Sequence, residues 1–201
     1  MATELGDTHP RVKVLVIGAV HGNERAGTAI ARRLAAGPAV RGASLWVVRN
    51  ANPDGSALGT RQNARGVDLN RNFPYLWRSL ERRGGLHYSG QGPASEPETR
   101  VIRDLINTLR PRITIWYHQP LDVVDLSGGN PGLAYRYGRF STTQVVRLNR
   151  YPGSATGWQN HHLPGTTAFV VELPSGKLSP SAVARHTQAV RRLVDSISST
   201  A

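Results

Sequence analysis

The chain contains no cysteine. That excludes disulfides and thiolate metal sites and leaves the compartment open. No run approaches the ~20 consecutive apolar residues that a membrane span requires. The N-terminus lacks the basic and apolar regions of a signal peptide. The visible chain therefore reads as cytoplasmic; a secreted protein whose signal peptide had been removed would carry the same sequence. Lysine is almost missing: of 25 Lys and Arg, only Lys13 and Lys177 are lysine. Acidic residues are scarce too, 13 in all, so the formal net charge is +12. Such a charge favours anionic partners through long-range fields. The arginines are scattered, however, with no basic run, helix-turn-helix signature or zinc-finger spacing, so no specific nucleic-acid partner is expected. Composition bias ranks first as the source of the charge, an anionic substrate second and nucleic acid third. No internal repeat or second domain is visible. The 201 residues, 39% of them hydrophobic, suffice for a single domain with its own core.

Apolar runs and helical periodicity alternate along the chain. Val12–Val20 reads as a buried strand, followed by a helix over Glu24–Ala36 with Ala26, Ile30 and Leu34 on one face. Gly37-Pro38 ends that helix. A strand over Ser44–Arg49 leads into residues 51–95, rich in Gly, Pro, Asn and Arg and without sustained periodicity. A loop of that length in a compact domain is expected to be functional. Ser95 is placed to cap a helix over Glu96–Leu109, with Pro97 in its first turn. Ile113–Tyr117 reads as a strand and Gly128–Gly132 as a turn. A short helix over Leu133–Arg139, a short strand near Val145–Leu148, a strand over Thr167–Glu172 and a helix over Ser179–Ile197 complete the pattern. The alternation predicts an α/β fold, a mixed, mostly parallel sheet sandwiched by helices.

His21-Gly22-Asn23-Glu24 directly follows the most strand-like run, and His118 follows the strand Ile113–Tyr117. Imidazole nitrogen and carboxylate oxygen are ordinary zinc ligands, and two His with one Glu leave a fourth position open for water. His21, Glu24 and His118 are therefore the expected metal ligands, for one Zn²⁺ per chain. The alternative is a pair of loop histidines with a carboxylate favoured by a helix dipole. The other histidines, at 9, 87, 161, 162 and 186, lack strand-end contexts; His161 and His162 are expected at the surface or a pocket rim.

Further segments follow in order: Asn52-Pro53-Asp54-Gly55, then Thr60 to Pro74 with the phrase Gly-Val-Asp-Leu-Asn-Arg-Asn-Phe-Pro, then His118-Gln119-Pro120-Leu121, then Phe169-Val170-Val171-Glu172-Leu173-Pro174. Together with His21 and Glu24 they resemble the zinc metallocarboxypeptidase family of the carboxypeptidase A type, and within it the small bacterial murein peptide amidase branch. The resemblance runs from about Val12 to about Leu193. It implies a minimal version of the family fold, with one edge strand reduced to Thr3-Glu4-Leu5 or missing.

The resemblance also implies roles. Glu172 matches the catalytic carboxylate, which takes a proton from water and returns it to the leaving amine. Arg61 matches the arginine that polarises the scissile carbonyl, with Arg65 as the alternative in the same segment. Asn70 and Arg71 match the pair that anchors a substrate carboxylate, a task suited to the planar guanidinium fork. Asp68 and Asn72 are expected to hold the loop or support ligands. A substrate-binding tyrosine matches Tyr151, with Tyr135 and Tyr137 nearby in sequence. Ser154, Ala155, Thr156 and Gly157 should line a specificity pocket with room for a polar side chain and no obvious charged selector. The implied activity is zinc-dependent hydrolysis of an amide next to a free carboxylate, in a peptidoglycan-derived peptide cut between γ-D-glutamate and diaminopimelate. A conventional carboxypeptidase, a zinc deacylase of acylated amino acids and an inactive basic binding protein are the alternatives.

Overall fold

The computed structural model describes residues 2–6, 10–40, 42–126 and 128–198. His9 lies outside them. One seven-stranded sheet runs through the protein, built from β1 (Ala2–Gly6), β2 (Val12–Ile17), β3 (Ala43–Val48), β4 (Ile113–His118), β5 (Leu121–Asp125), β6 (Gln144–Val146) and β7 (Thr167–Pro174). The order across the sheet is β1-β3-β2-β4-β7-β5-β6. Only β1 with β3 and β5 with β7 pair antiparallel; the other neighbours are parallel. This is the mixed, mostly parallel sheet that the alternation of strands and helices predicts. The edge strand foreseen as reduced or missing is present as β1.

Side chains alternate across the sheet, so each central strand feeds two cores. Val12, Val14 and Val16 of β2, Ile115 and Tyr117 of β4, and Phe169 and Val171 of β7 face one side. They meet helices α1 (Ala26–Ala35), α4 (Pro131–Ser141) and α6 (Pro180–Ser198). Leu15 and Ile17, Trp116 and Val170 face the other side. There they meet α3 (Pro97–Leu109), α5 (Ala155–His162) and the segment carrying Leu69 and Phe73. By the same alternation His118 shares the face of Trp116, and Glu172 shares the face of Val170.

Several boundaries differ from the sequence reading. β2 ends at Ile17, not Val20; at Gly18 the chain passes so close to Arg49 that a Cβ would lie 2.4 Å from its carbonyl oxygen, so glycine is required there. α1 starts at Ala26, so Glu24 sits in the turn before it, with its N–H on the His21 carbonyl at 3.2 Å. Glu96, not Ser95, is the residue preceding α3; Ser95 donates to Glu96 Oε1 and accepts from Asn72 Nδ2, so its hydroxyl is spent on the loop. Residues 51–95 hold a short helix that lack of periodicity concealed, α2 (Pro53–Leu58), capped by Asn52 and closed by left-handed Gly59. α5 occupies a segment read only as pocket lining, and β5 was not foreseen.

Candidate functional site

The strand order places a crevice where connections diverge. From β2 the chain proceeds to β3 on one side, while β4 pairs on the other. Open α/β sheets bind ligands at such a switch point, outside the carboxyl ends of the strands. His21 and Glu24 follow β2, and His118 is the last residue of β4. The turn between them brings Gly22 against Gly55, where a Cβ would lie 2.0 Å from the Gly55 carbonyl carbon, so only glycine fits.

His21, Glu24 and His118 are all buried, and their ligand atoms lie within 4.8 Å of one another. His21 Nδ1 is 2.8 Å from Glu24 Oε1, and His118 Nδ1 is 3.1 Å from Glu24 Oε2. The two Nδ1 atoms are 3.2 Å apart. Ligands at 2.0–2.1 Å from a tetrahedral zinc stand roughly 3.3 Å from each other. Two imidazole nitrogens and a carboxylate converging at that spacing fit one cation.

A second set of contacts holds the ligands. His21 Nε2 meets Asp68 Oδ1 at 3.0 Å, which orients the ring with Nδ1 toward Glu24. Asp68 is fully buried and its other oxygen accepts from Arg61 Nε at 2.9 Å. Arg61 Nη1 donates to Glu24 Oε1 at 2.9 Å. The Gln119 backbone N–H donates to Glu24 Oε2 at 3.2 Å. Burial works against charge on each of these groups, and the partners outweigh it: the Asp68 and Glu24 carboxylates raise the His21 pKa, the two imidazoles hold Glu24 well below the usual carboxylate range, and His21 and Arg61 do the same for Asp68.

Glu172 lies beside this cluster because β4 and β7 are parallel with His118 directly opposite Glu172. Its Oε2 is a buried acceptor with no partner among the described residues. Burial raises its pKa, and the nearby Glu24 charge adds to that. A bound cation would act in the opposite direction.

Arg71 forms another wall. Its side chain is buried, Nη1 donates to the Asn70 carbonyl at 2.8 Å, and the guanidinium lies 4.2 Å from the centre of the Tyr151 ring. Its Nε is a buried donor without a partner among the described residues. Asn70 Oδ1 accepts from the Ala155 N–H at 2.9 Å, tying the loop to the start of α5.

A cleft of about 880 Å³ joins these groups and is lined by His21, Glu24, Arg61, Asn70, Arg71, His118, Tyr151 and Glu172 among others. The structure thus brings together all eight residues singled out in the sequence. Arg65 is exposed and does not line the cleft, so Arg61 is the arginine placed there. Of the three tyrosines weighed, Tyr151 lines it; Tyr137 is buried on the opposite face of the sheet and Tyr135 is exposed on α4. His161 stands at the rim, stacked on Tyr75 at 4.1 Å, as expected of a rim residue. Gln119 and Asp125 also line the cleft. Asp125 sits on the unforeseen β5, whose signal was the pair Val123-Val124 between Pro120 and Gly128-Gly129.

The Peptidase_M14 zinc carboxypeptidase family model matches residues 3–144. The chain belongs to the zinc carboxypeptidase family. Murein peptide amidase A of Escherichia coli (strain K12) is 42% identical over 90 residues, covering 39% of this chain and 37% of that protein. The matched stretch is thus little more than a third of that relative's length. Murein peptide amidase A of Vibrio campbellii is 34% identical over 175 residues, covering 80% of this chain and 68% of that protein. The crystal structure of murein-tripeptide amidase MpaA from Escherichia coli O157 superposes with a TM-score of 0.71 at 27% identity, over 94% of this chain and 82% of that one. Glu172 lies beyond the residues the family model matches, so its place rests on β7 pairing with β4.

Proposed function

We propose that this family member acts as one catalytic domain, binding one Zn²⁺ per chain and hydrolysing an amide next to a free carboxylate in a peptidoglycan-derived peptide. The bond we assign is that between γ-D-glutamate and diaminopimelate. One observation supports this most: the His21–Glu24–His118 cluster is flanked by an unpartnered carboxylate oxygen on Glu172 and an unpartnered donor on Arg71, in one cleft. Similarity to murein peptide amidases supports the substrate class.

In this reading His21 Nδ1, His118 Nδ1 and Glu24 hold the metal. When bound, zinc supplies Lewis acidity, polarising a carbonyl oxygen and acidifying water. Glu172 accepts a proton from the attacking water and returns it to the leaving nitrogen. Its elevated pKa suits a group that must take a proton and give it back. Arg61 Nε and Nη1 are engaged by Asp68 and Glu24, and Nη2 serves the oxygen on which negative charge develops. A fixed donor of that kind is worth on the order of 3 kcal/mol of barrier. Arg71, with Asn70, pairs with the substrate carboxylate, and Tyr151 stacks over that guanidinium and shields it from water.

The test is a panel of γ-D-glutamyl-diaminopimelate muropeptides and ordinary peptides, each with a free or an amidated carboxylate. Muropeptides with the free carboxylate should be the best substrates. Amidation should lower kcat/KM heavily in the wild type and far less in Arg71→Ala. Preference for ordinary C-termini would make the protein a conventional carboxypeptidase. Equal cleavage of free and amidated substrates would overturn the reading.

A further inference from the structure

Outside the cleft, a second concavity of about 420 Å³ lies between α1, the end of β3 and α2. Three arginines line it, Arg25, Arg32 and Arg49, and no carboxylate does. Arg25 and Arg32 stand two helical turns apart, so they share a face of α1. Gly18 brings Arg49 to them. A Cβ there would lie 2.4 Å from the Arg49 carbonyl oxygen and 3.1 Å from the Gly27 carbonyl oxygen, so the end of β3 and α1 close on the same bare backbone.

The polar groups of this concavity are held in place. Arg25 Nε donates to the Gly22 carbonyl at 3.3 Å and Nη2 to the Ser56 carbonyl, which leaves Nη1 for a ligand. Asn50 Oδ1 accepts from the Asn52 N–H at 2.8 Å, and its Nδ2 donates to the Ser56 hydroxyl at 2.9 Å. Ser56 Oγ thus keeps its proton to give, and nothing among the described residues takes it. The side chains of Arg32 and Arg49 have no hydrogen-bond or ion-pair partner among the described residues.

We propose that Arg25, Arg32, Arg49 and Ser56 form a binding site for a phosphate group, carried by a free phosphate ion or by a phosphate monoester. A phosphate dianion accepts several hydrogen bonds at once, and guanidinium forks match it in shape and charge. One exposed arginine would hold it weakly, because water and salt screen the charge. Three that converge from separate segments, with no competing carboxylate, act together. A volume of about 420 Å³ lies in the range of small-ligand sites. No aromatic side chain lines it, so it offers no platform for a nucleic-acid base.

The same walls support the proposed metal ligands. Gly22, whose carbonyl takes Arg25 Nε, lies between His21 and Glu24. Its N–H donates to the Arg61 carbonyl at 3.3 Å, which also accepts from Asn52 Nδ2 at 3.2 Å. A bound phosphate joins α1 to β3 and α2 and stiffens that turn from behind. It touches no residue assigned to hydrolysis, so the site goes beyond the amide-hydrolase reading and does not depend on it.

Calorimetric titration of the zinc-loaded protein with inorganic phosphate and with glycerol phosphate, in chloride buffers of matched ionic strength, tests the site. The wild type should bind with a Kd of about 1 mM or tighter, the scale of a few charge-assisted hydrogen bonds in water. Arg32→Gln and Arg49→Gln should each weaken binding by about tenfold or more. Both side chains are exposed and unpartnered among the described residues, so both variants should keep the wild-type Tm in chloride. Arg71→Ala, which removes the anion-binding group of the cleft, should leave this Kd within about threefold. Phosphate should raise the Tm of the wild type above that in matched chloride, and should not do so in the two Gln variants. The tighter of the two ligands shows whether the ion or the ester is the better fit. Binding that survives in both Gln variants, or that disappears in Arg71→Ala, would place the phosphate in the cleft and overturn the proposal. Binding of long-chain polyphosphate alone would reveal a diffuse cationic face and overturn it as well.

Discussion

His118 and Glu172 occupy directly opposed positions on the parallel strands β4 and β7. The pairing makes the last residue of one strand a proposed metal ligand and its neighbour across the ladder the proposed base. The separation between the two is set by the sheet rather than by a loop.

Glu172→Gln keeps the shape of the side chain and removes its ability to take a proton. The variant should retain zinc content and melting temperature while kcat falls by roughly 10²–10⁴-fold. Single-turnover kinetics on a γ-D-glutamyl-diaminopimelate peptide provide the check. Near-wild-type turnover would assign the base elsewhere.

Asp68 holds His21 through Nε2 and Arg61 through Nε while buried from water. Asp68→Asn should weaken zinc binding by about 10–100-fold, the usual effect of losing a carboxylate behind a metal-binding imidazole. Competition with a chromogenic chelator measures it. Unchanged affinity would show that Asp68 serves the loop alone.

Gln119 ties α1 to β7 and the loop after it: Oε1 accepts from Ala26 N–H at 3.0 Å, and Nε2 donates to the Pro174 and Gly176 carbonyls at 2.6 and 2.9 Å. Its own N–H meets Glu24. Gln119→Met leaves those groups unpaired and should cost about 1–3 kcal/mol of stability. Gln119→Glu keeps the acceptor for Ala26 and loses the donors, so it should fall between wild type and Met in urea unfolding. A Met variant as stable as wild type would show that water replaces the side chain at no cost.

The opposite face of the sheet holds a buried chain of polar groups, Tyr117 OH to Tyr137 OH at 2.9 Å and Tyr137 OH to His186 Nδ1 at 2.8 Å. Burial first and the Arg185 charge second, with Asp122 opposing, lower the His186 pKa to about 4. The unfolded histidine titrates near ~6.5. Between those values the unfolded chain binds more protons, so stability is fully present above about pH 6.5 and is lost as pH falls through about 4. The loss should be on the order of 3 kcal/mol. His186→Gln should flatten that part of the stability profile in urea unfolding at pH 4 to 7. An unchanged slope would place the acid sensitivity in other groups.

The sequence exposed the fold wherever a residue pattern had a single structural solution. Val12–Ile17 and Ile113–His118 are apolar runs too short for helices, and Ala26, Ile30 and Leu34 recur at helical spacing. All eight residues singled out line one cleft, because His21, Glu24 and His118 follow or end central strands, Glu172 lies near the end of β7, and Asn70 and Arg71 sit in a loop pinned by Asp68 and Asn72. β5 was concealed because its antiparallel partner β7 lies 42 or more residues further on, and Leu121-Asp122-Val123-Val124-Asp125 has no clean alternation of its own. Asp125 went unnoticed with it. Gln119 was hidden for a different reason: its bonds run to Ala26, Pro174 and Gly176, and no local pattern encodes contacts so distant.

The account stands or falls on the metal. Zinc content of the purified protein, measured by elemental analysis beside His118→Ala after equal dialysis, tests it most directly. One Zn²⁺ per chain in the wild type and little in His118→Ala is the expected result. Equal zinc in both proteins, or none in the wild type after incubation with the ion, would contradict it.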